Sequence, residues 1–368
     1  MRGSQPAQGG MFSFVSPDSR VPATHPLRRV KQFTDIALRR LSRDFEAMYS
    51  RMGRPSIPPE WLLKAQILMA LFSIRSDRLF CEMLDYNILF RWFLDMDLDA
   101  ASFDHSVFSK NRDRLMEQEI AHRLMQEIVR LARSEELLSD EHFTVDGTLI
   151  EAWASMKSFK RKDAESANKT DDDRSNPSVD FHHEKRSNET HQSSTDPEAL
   201  LARKNKRTGA QLAYSGHVLM ENRNGLCVDI AIAPATGTAE RDMALELIKH
   251  ERRRGKRRMK TVGADKGYHA TEFIKSLRRL HVKPHIAEKA NTSLKGLDGR
   301  TTRHKGYSVS QRKRKRVEEI FGWIKSVGGL RKTRVRGIRI NQTVAYVVAA
   351  AYNLIRMVKL MPQTVGAA

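Results

Sequence analysis

Two β-rich runs, residues 210–221 (AQLAYSGHVLME) and 226–233 (LCVDIAIA), flank the pair Asn224-Gly225. Asn-Gly accepts the positive φ angles of a tight hairpin turn, so this stretch predicts an antiparallel β-hairpin in the middle of the chain. Before it, residues 142–150 (HFTVDGTLI) are rich in β-formers. After it come a helical pattern over 240–251, a short apolar strand at 261–264 (TVGA), a second helix over 270–280 and a brief strand at 283–287. A hairpin pairs strands antiparallel, whereas a helical crossover brings the chain back parallel. The order strand, hairpin, helix, strand, helix, strand therefore predicts an α/β core with a mixed sheet flanked by helices.

The section before that core reads as all-α. Pro26 suits the first turn of a helix, and Val30, Phe33, Ala37, Leu41, Phe45 and Met48 follow at helical spacing. Residues 51–59 (RMGRPSIPP) break the pattern, and a second helix places Leu63, Ile67, Ala70, Leu71 and Ile74 on one face. Short helical stretches follow near residues 77–83, 87–93 and 105–116. The pattern fits a helix-turn-helix-like module and a plain helical bundle equally well. The expected domains are a disordered leader over 1–14, a helical domain over 15–137, an α/β domain over 138–362 and a tail over 363–368. Residues 157–206, dense in Ser, Asp, Asn, Lys and His with almost no large apolar side chains, read as a mobile insertion. Asp171, Asp172, Asp173, His182, His183 and His191 lie in it; such residues in such a tract are more often solvated than metal-bound.

The formal charge is +21 at pH 7, and the cations cluster at residues 252–260, 312–316 and 331–339. A clustered positive field selects a polyanion as partner, with nucleic acid ahead of an anionic membrane. The two cysteines, Cys81 and Cys227, sit in apolar settings, exclude a disulfide framework and fit a reducing cytosol. No signal-peptide core begins the chain. The most apolar stretch, from Thr343, is interrupted by Asn353 and Arg356 and reads as a buried helix rather than a membrane span. A cytoplasmic protein without membrane association is expected.

Three acids have surroundings that suit metal chemistry. Asp146 follows Phe143 and Val145 and precedes Gly147-Thr148; Asp265 ends the TVGA strand and precedes Lys266-Gly267-Tyr268. Glu318 lies in residues 311–325, which read as one basic helix. On a continuous helix at ~100° per residue, Gln311, Arg314, Glu318 and Lys325 fall within about 60° of one another. Val317, Ile320, Phe321 and Ile324 then form a separate apolar stripe. One carboxylate is thus framed by cations while the neighbouring face packs. Each acid also has an ordinary reading: Asp146 as a turn residue, Asp265 as a helix-entry residue, Glu318 as half of an i,i+4 pair with Arg314. Together, two aspartates at strand ends and a helical glutamate match a site for two divalent cations.

These segments resemble a known family: bacterial insertion-sequence transposases of the DDE type, with an RNase H-like core, in the insertion-sequence-five group. Residues 145–155 (VDGTLIEAWAS) resemble its first-aspartate strand and residues 264–270 (ADKGYHA) its second-aspartate motif. Residues 314–325 (RKRVEEIFGWIK) resemble its third signature: Arg, three residues, Glu, six residues, Lys. Upstream, residues 67–99 resemble the helical N-terminal domain of the group. The related signature usually carries Tyr where this chain has Gln311. Glu318 rather than Glu319 keeps both the Arg and the Lys spacings.

The resemblance implies an RNase H-like catalytic core behind an all-α N-terminal DNA-binding domain. It implies Asp146, Asp265 and Glu318 as catalytic metal ligands for Mg²⁺, with Mn²⁺ as a substitute and two ions in the site. Arg314, Lys325, Gln311, Lys266, Tyr268, Arg312 and Arg316 are the expected DNA-phosphate contacts. Base reading falls to the N-terminal helices, with Arg75, Arg112 and Arg114 as candidates. The implied partners are double-stranded DNA, as element ends and as target, and a second copy of the chain when DNA is bound. The alternatives are a non-catalytic repressor-like relative and a metal-dependent nuclease on the same fold.

Overall fold

A computed structural model describes residues 15–361 apart from 51, 53–55, 118, 163–179, 182–183, 205–207, 238, 255–258, 290–296 and 298. The expected leader, the tail, Asp171, Asp172, Asp173, His182 and His183 lie outside the described residues.

The N-terminal section is helical, as its periodicity predicts: α1 (Pro17–Arg20), α2 (Pro26–Arg40), α3 (Ser42–Met48), α4 (Pro59–Leu71), α5 (Asp77–Tyr86), α6 (Ile88–Leu94), α7 (His105–Glu117) and α8 (Ile120–Ser134). Pro26 opens α2 without losing a hydrogen bond, and the His25 ring accepts from Leu27 N. The single helix expected from Val30 to Met48 is interrupted at Leu41, whose φ/ψ of −91°/0° ends α2 before α3 begins. Ser76 caps α5 by accepting from Leu79 N, and Asn87 caps α6 by accepting from Phe90 N.

The α/β part contributes β1 (His142–Glu151), β2 (Phe159–Arg161), β3 (Asp180–Phe181), β4 (Glu184–Lys185), β5 (His191–Ser193), β6 (Leu200–Ala202), β7 (Gln211–Glu221) and β8 (Leu226–Pro234). Then follow α9 (Ala239–Arg254), β9 (Thr261–Ala264), α10 (Thr271–Arg279), β10 (Lys283–Ile286), α11 (Gly299–Thr302), α12 (Lys305–Lys313), α13 (Val317–Ser326) and α14 (Ile338–Leu360). The expected hairpin is β7–β8, with Gly225 at φ +72° in its turn. The main sheet runs β10-β9-β1-β7, with β8 beside most of β7 and β6 beside its first residues. β1, β7 and β8 pair antiparallel, while β9 and β10 join β1 in parallel. This is the mixed sheet with the RNase H-like strand order that the sequence motifs implied.

Each face of the sheet has its own core. Phe143, Val145 and Leu219 join α9 and α10 through Leu247, Ile248, Phe273 and Leu277. Ile150, Val218, Met220 and Ile230 join α13, α14 and the N-terminal helices. The expected boundary at residue 137 therefore does not separate two cores. α14 is the reason, since it packs against α2, α4 and α8 on one side and β8 on the other. It is long and apolar enough to cross a membrane by composition, yet Ala345, Val347, Val348, Ala349, Ala350, Ala351 and Leu354 are spent on this shared core.

The polar interruptions of α14 do a different job. β8 is a sheet edge, and an edge strand leaves backbone donors and acceptors unpaired. Asn353 accepts from Cys227 N at 2.8 Å and donates to Cys227 O at 2.7 Å. Gln342 likewise accepts from Ile232 N at 2.6 Å and donates to Ile230 O at 2.9 Å. Two amide side chains three turns apart thus replace the missing neighbouring strand.

The insertion differs from expectation where it is described. β5 pairs with β2, β6 joins the main sheet, and Phe159, His191, Ser193, Asp196 and Ala199 are buried. Asp196 accepts from the Tyr214 hydroxyl at 2.7 Å and from Gly337 N at 3.3 Å, tying the insertion to β7 and to the start of α14. Polar staples rather than apolar bulk order this segment, which is why its composition concealed it. The His191 ring, stacked on Phe159 at 5.4 Å, is part of that packing.

Truncating Asn353 leaves a buried backbone donor and acceptor of β8 unpaired, at about 1–3 kcal/mol each. Asn353→Ala is expected to lower unfolding free energy by roughly 2–6 kcal/mol. A urea titration with unchanged slope checks it; a midpoint equal to wild type would show that the amide clasp is dispensable.

Candidate active site

β1 is the central strand, antiparallel to β7 on one side and parallel to β9 on the other. Its alternation sends Phe143 and Val145 into the α9–α10 core and leaves Thr144, Asp146 and Thr148 on the opposite face. The β1–β9 ladder pairs His142 with Thr261, Phe143 with Val262 and Thr144 with Gly263. Two residues further along the same register stand Asp146 and Asp265, beyond the last paired residues and at the carboxyl end of β9. Asp265 thus stands at a strand end, where α/β sheets place ligands, whereas Asp146 lies within β1, paired with Val218 of β7, rather than at the strand end expected of it. The two aspartates that sequence reasoning selected are therefore brought together.

Burial pushes the Asp146 carboxyl up to about 6, helped by the nearby negative charges of Asp265 and Glu240 and opposed by the Gly147 N–H and by Arg314. Asp146 Oδ1 accepts from Gly147 N at 2.8 Å, and Asp265 Oδ1 accepts from Gly267 N at 2.7 Å. Glu240, in the first turn of α9, belongs to this group, and neither its spacing nor a motif singled it out in the sequence. Burial and the neighbouring Asp265 also raise its carboxyl. Only the start of a helix after the hairpin hinted at an acid there.

The signature segment departs from a single helix. α12 ends at Lys313, a 3₁₀ turn covers Arg314–Arg316, and α13 starts at Val317. A 3₁₀ turn advances about 120° per residue, so the continuous helical wheel does not extend from Gln311 to Lys325. Within α13 the reading holds. Val317, Ile320, Phe321 and Ile324 are buried, and Glu318 and Lys325, seven residues apart, lie about 20° short of two full turns. Lys325 Nζ donates to Thr148 Oγ1 at 2.6 Å, which joins this face of α13 to the Asp146 face of β1. Burial lowers the Lys325 ammonium pKa. Glu318 is exposed, whereas Glu319 pairs with Arg316 and Arg356 on another side of the helix. Among the described residues no three His, Cys, Asp or Glu side chains close around one point, so Asp146, Asp265 and Glu318 do not form a closed cage in this structure.

The expected phosphate contacts divide. Gln311 Nε2 donates to His285 O at 2.5 Å and its Oε1 accepts from Arg314 Nε at 2.9 Å, so Gln311 braces Arg314 beside Asp146. Lys266 and Arg312 are exposed. Arg316 is not free to face a polyanion; it donates to Asn222 O at 3.1 Å and Arg223 O at 2.6 Å and clamps the hairpin turn. Tyr268 is also corrected. Its side chain is 1% exposed in the α9–α10 core, out of reach of DNA. In the basic 252–260 stretch, Arg254 is committed to Asp229 at 3.2 Å. Arg75 is exposed, Arg114 stacks over Tyr49 at 5.0 Å, and the Arg112 side chain lies outside the described residues.

Paired aspartates at the open end of an RNase H-like sheet, with cations beside them, define an enzyme of phosphoryl transfer. Two family models match the chain: a Transposase domain (DUF772) at residues 15–114 and a Transposase DDE domain at residues 189–354. The second match includes Asp265 and Glu318, and Asp146 precedes it. The chain belongs to the DDE-type insertion-sequence transposases and is a DNA transposase. None of the curated proteins matches it in sequence. Among solved structures, piggyBac transposase in a synaptic complex with hairpin DNA is 10% identical, with 90% of this chain and 73% of that one covered and a TM-score of 0.41. The Mos1 transposase paired-end complex with left transposon end is 11% identical, covering 76% and 82%, with a TM-score of 0.20. The mariner Mos1 paired-end complex with Mg is 12% identical, covering 79% and 86%, with a TM-score of 0.20.

A carboxyl whose folded pKa is raised binds its proton more tightly in the native state, so its contribution to stability is lost as pH rises from 3.8 towards about 6. Metal-free Asp146→Asn protein is accordingly expected to melt higher than wild type near neutral pH, with the difference vanishing as pH falls to about 4. Differential scanning calorimetry in a chelator checks this; identical curves for the two proteins at neutral pH would contradict it.

Proposed function

We propose that this transposase binds the terminal inverted repeats of its element, cleaves strands there and joins the 3′ ends to target DNA, as a member of the insertion-sequence-five group. Asp146, Asp265 and Glu318 are the acids assigned to hold two Mg²⁺ ions, with Mn²⁺ as substitute. The observation that carries the reading is the register of β1 with β9, which sets Asp146 and Asp265 side by side with Arg314 near and Lys325 on the same face of β1.

The residues fit a hard cation. Oxygen donors dominate the site, the negative charges of Asp265 and Glu240 add to burial in raising the Asp146 carboxyl, and the buried Tyr268 hydroxyl has no partner among the described residues. An incomplete carboxylate cage that leaves room for phosphate oxygens suits Mg²⁺. When bound, the ions supply charge stabilisation at the attacking and leaving oxygens of an in-line displacement. Water is the nucleophile for cutting and a DNA 3′-hydroxyl for joining. Arg314, braced by Gln311, and Lys325, held on Thr148, orient the scissile phosphate from the side of α13. Glu318, exposed on α13, is the ligand that cation and DNA binding would draw towards the aspartates.

Lys266 and Arg312 add sequence-independent affinity for the backbone. The N-terminal helices read the repeat, with Arg75 and Arg114 as candidates, and two copies of the chain act together to pair two element ends. The site of action is the cytoplasm.

The test is a strand-cleavage and strand-transfer assay on a duplex carrying the element's own end, with Mg²⁺ or Mn²⁺. Wild type is expected to cut and join, and Asp146→Asn, Asp265→Asn and Glu318→Gln each to lower cleavage by on the order of a hundredfold or more. Undiminished cleavage in any of them would remove that residue from the site. Cutting without joining would point to a nuclease, and binding without cutting to a repressor-like relative.

A further inference from the structure

α12 is laid on the sheet by a run of polar contacts. The Tyr307 hydroxyl donates to Ile286 O at 2.8 Å and the Gln311 amide to His285 O at 2.5 Å. Just beyond the helix, Arg316 donates to Asn222 O at 3.1 Å. Ser310 is the only fully buried residue of α12, and its hydroxyl lies 2.9 Å from His142 Nε2. His142, Thr144 and Asp146 alternate onto one face of β1, so the Ser310 contact sets α12 over the face that carries Asp146.

The neighbours of this contact fix its protons. Thr261 Oγ1 lies 2.7 Å from Glu141 O and 2.7 Å from His142 Nδ1. A hydroxyl has one proton and a carbonyl only accepts, so Thr261 donates to Glu141 O and accepts from His142. Nδ1 therefore carries the ring proton, and Nε2 is left to accept from Ser310. Burial, with the nearby His285 ring and Lys313, holds the His142 pKa down to about 4, which keeps the ring neutral at physiological pH. One directed chain thus runs from Ser310 through His142 and Thr261 to Glu141 O, across α12, β1 and β9. Gly263 makes room for it. A Cβ there would lie 3.3 Å from both His142 Cε1 and Ser310 Oγ and 3.4 Å from Thr144 Oγ1.

We propose that His142 and Ser310 are positioning residues for Arg314: their hydrogen bond fixes α12 on β1 and β9, and with it the Gln311 amide that holds Arg314 for the scissile phosphate. The proposal rests on the phosphate role of Arg314 proposed above and deepens it. Gln311 follows Ser310 directly, and its Oε1 accepts from Arg314 Nε at 2.9 Å. A shift of α12 at Ser310 is therefore passed to the guanidinium through a single side chain. A misplacement of about 1 Å at an orienting group costs about a hundredfold in rate.

The experiment measures first-turnover cleavage by the full chain against concentration of a duplex carrying the element's own end, which separates the saturating rate from apparent affinity. Melting temperatures are taken alongside. Ser310→Ala and His142→Phe are expected to lower the saturating rate about tenfold to a hundredfold with apparent affinity unchanged. His142→Gln, whose amide oxygen accepts from Ser310, should recover most of that loss. Ser308→Ala removes an exposed hydroxyl that donates to Lys305 O within the same helix, and should cut as wild type does. Arg314→Gln separates the two readings. It is expected to lower the rate about a hundredfold, and adding Ser310→Ala to it should cost little more, because the residue being positioned is gone. If Arg314→Gln cuts as wild type does, the phosphate reading falls. If Arg314→Gln is slow while Ser310→Ala and His142→Phe keep the wild-type rate, the positioning role is overturned and the phosphate reading survives. A Ser310→Ala loss that adds in full to that of Arg314→Gln, or that appears only as a lower melting temperature, would make the pair a structural fixture alone.

Discussion

The amide clasp between α14 and β8 is the constraint on which the rest of the molecule depends. An edge strand exposes a row of backbone groups that must be paired, covered or solvated. Here Asn353 and Gln342 pair them from a helix, so β8 is closed without another strand. Because the clasp fixes where α14 lies, it fixes what α14 touches. On its other sides are α2, α4, α8 and α13. The same helix clamps the hairpin turn through the Tyr352 hydroxyl on Gly225 O and Arg356 on Asn224 O. One helix thereby joins the N-terminal section, the sheet and the signature segment into a single packed body.

From that body follows the placement of α13, and from α13 the polarity of the site. The apolar face of α13 packs beside α14, which leaves Lys325 to cross to Thr148 on β1. Opposite it, the parallel ladder of β1 and β9 stops at Thr144 and Gly263, just short of the two aspartates. Continuing the ladder would pair them as ordinary strand residues. Its end instead leaves two carboxylates unpaired with each other, the Asp146 carboxyl pushed up to about 6 by burial and by the negative charges of Asp265 and Glu240. Such crowding destabilises the protein alone and is relieved by a cation, so the same geometry serves binding rather than folding.

Much of this was legible in the residues. The Asn-Gly turn and its flanking β-formers identified the hairpin, and the spacing of Asp146 and Asp265 after apolar strands identified the pair, because strand periodicity and turn chemistry are local. Three features were not legible for physical reasons. The run from Gln311 to Lys325 has helical composition throughout, and nothing local marks the 3₁₀ turn at Arg314–Arg316. The insertion is held by Asp196 reaching Tyr214 and Gly337, contacts remote in sequence that hydrophobicity does not report. Glu240 is one acid among many on a charged helix, and only the tertiary fold brings it to Gly147.

The cations make a similar point about charge as a guide to function. A net +21 announces a polyanion partner but does not map the contact surface. Arg133 is paired with Glu251, Arg254 with Asp229 and Lys332 with Glu151, and Arg316 is bonded to hairpin carbonyls; each of these carries out internal work. Lys266 and Arg312 remain exposed, Arg314 is bonded to Gln311 and its charge acts on Asp146, and Lys325 is bonded to Thr148 on the same face of β1 as Asp146. The difference lies in what each guanidinium or ammonium meets on its own side of the fold. A cation beside a carbonyl turn or a buried carboxylate has already found its partner. One held by a neutral amide or hydroxyl, as Arg314 is by Gln311 and Lys325 by Thr148, has no carboxylate partner of its own among the described residues, which is the basis for proposing these two as the phosphate contacts.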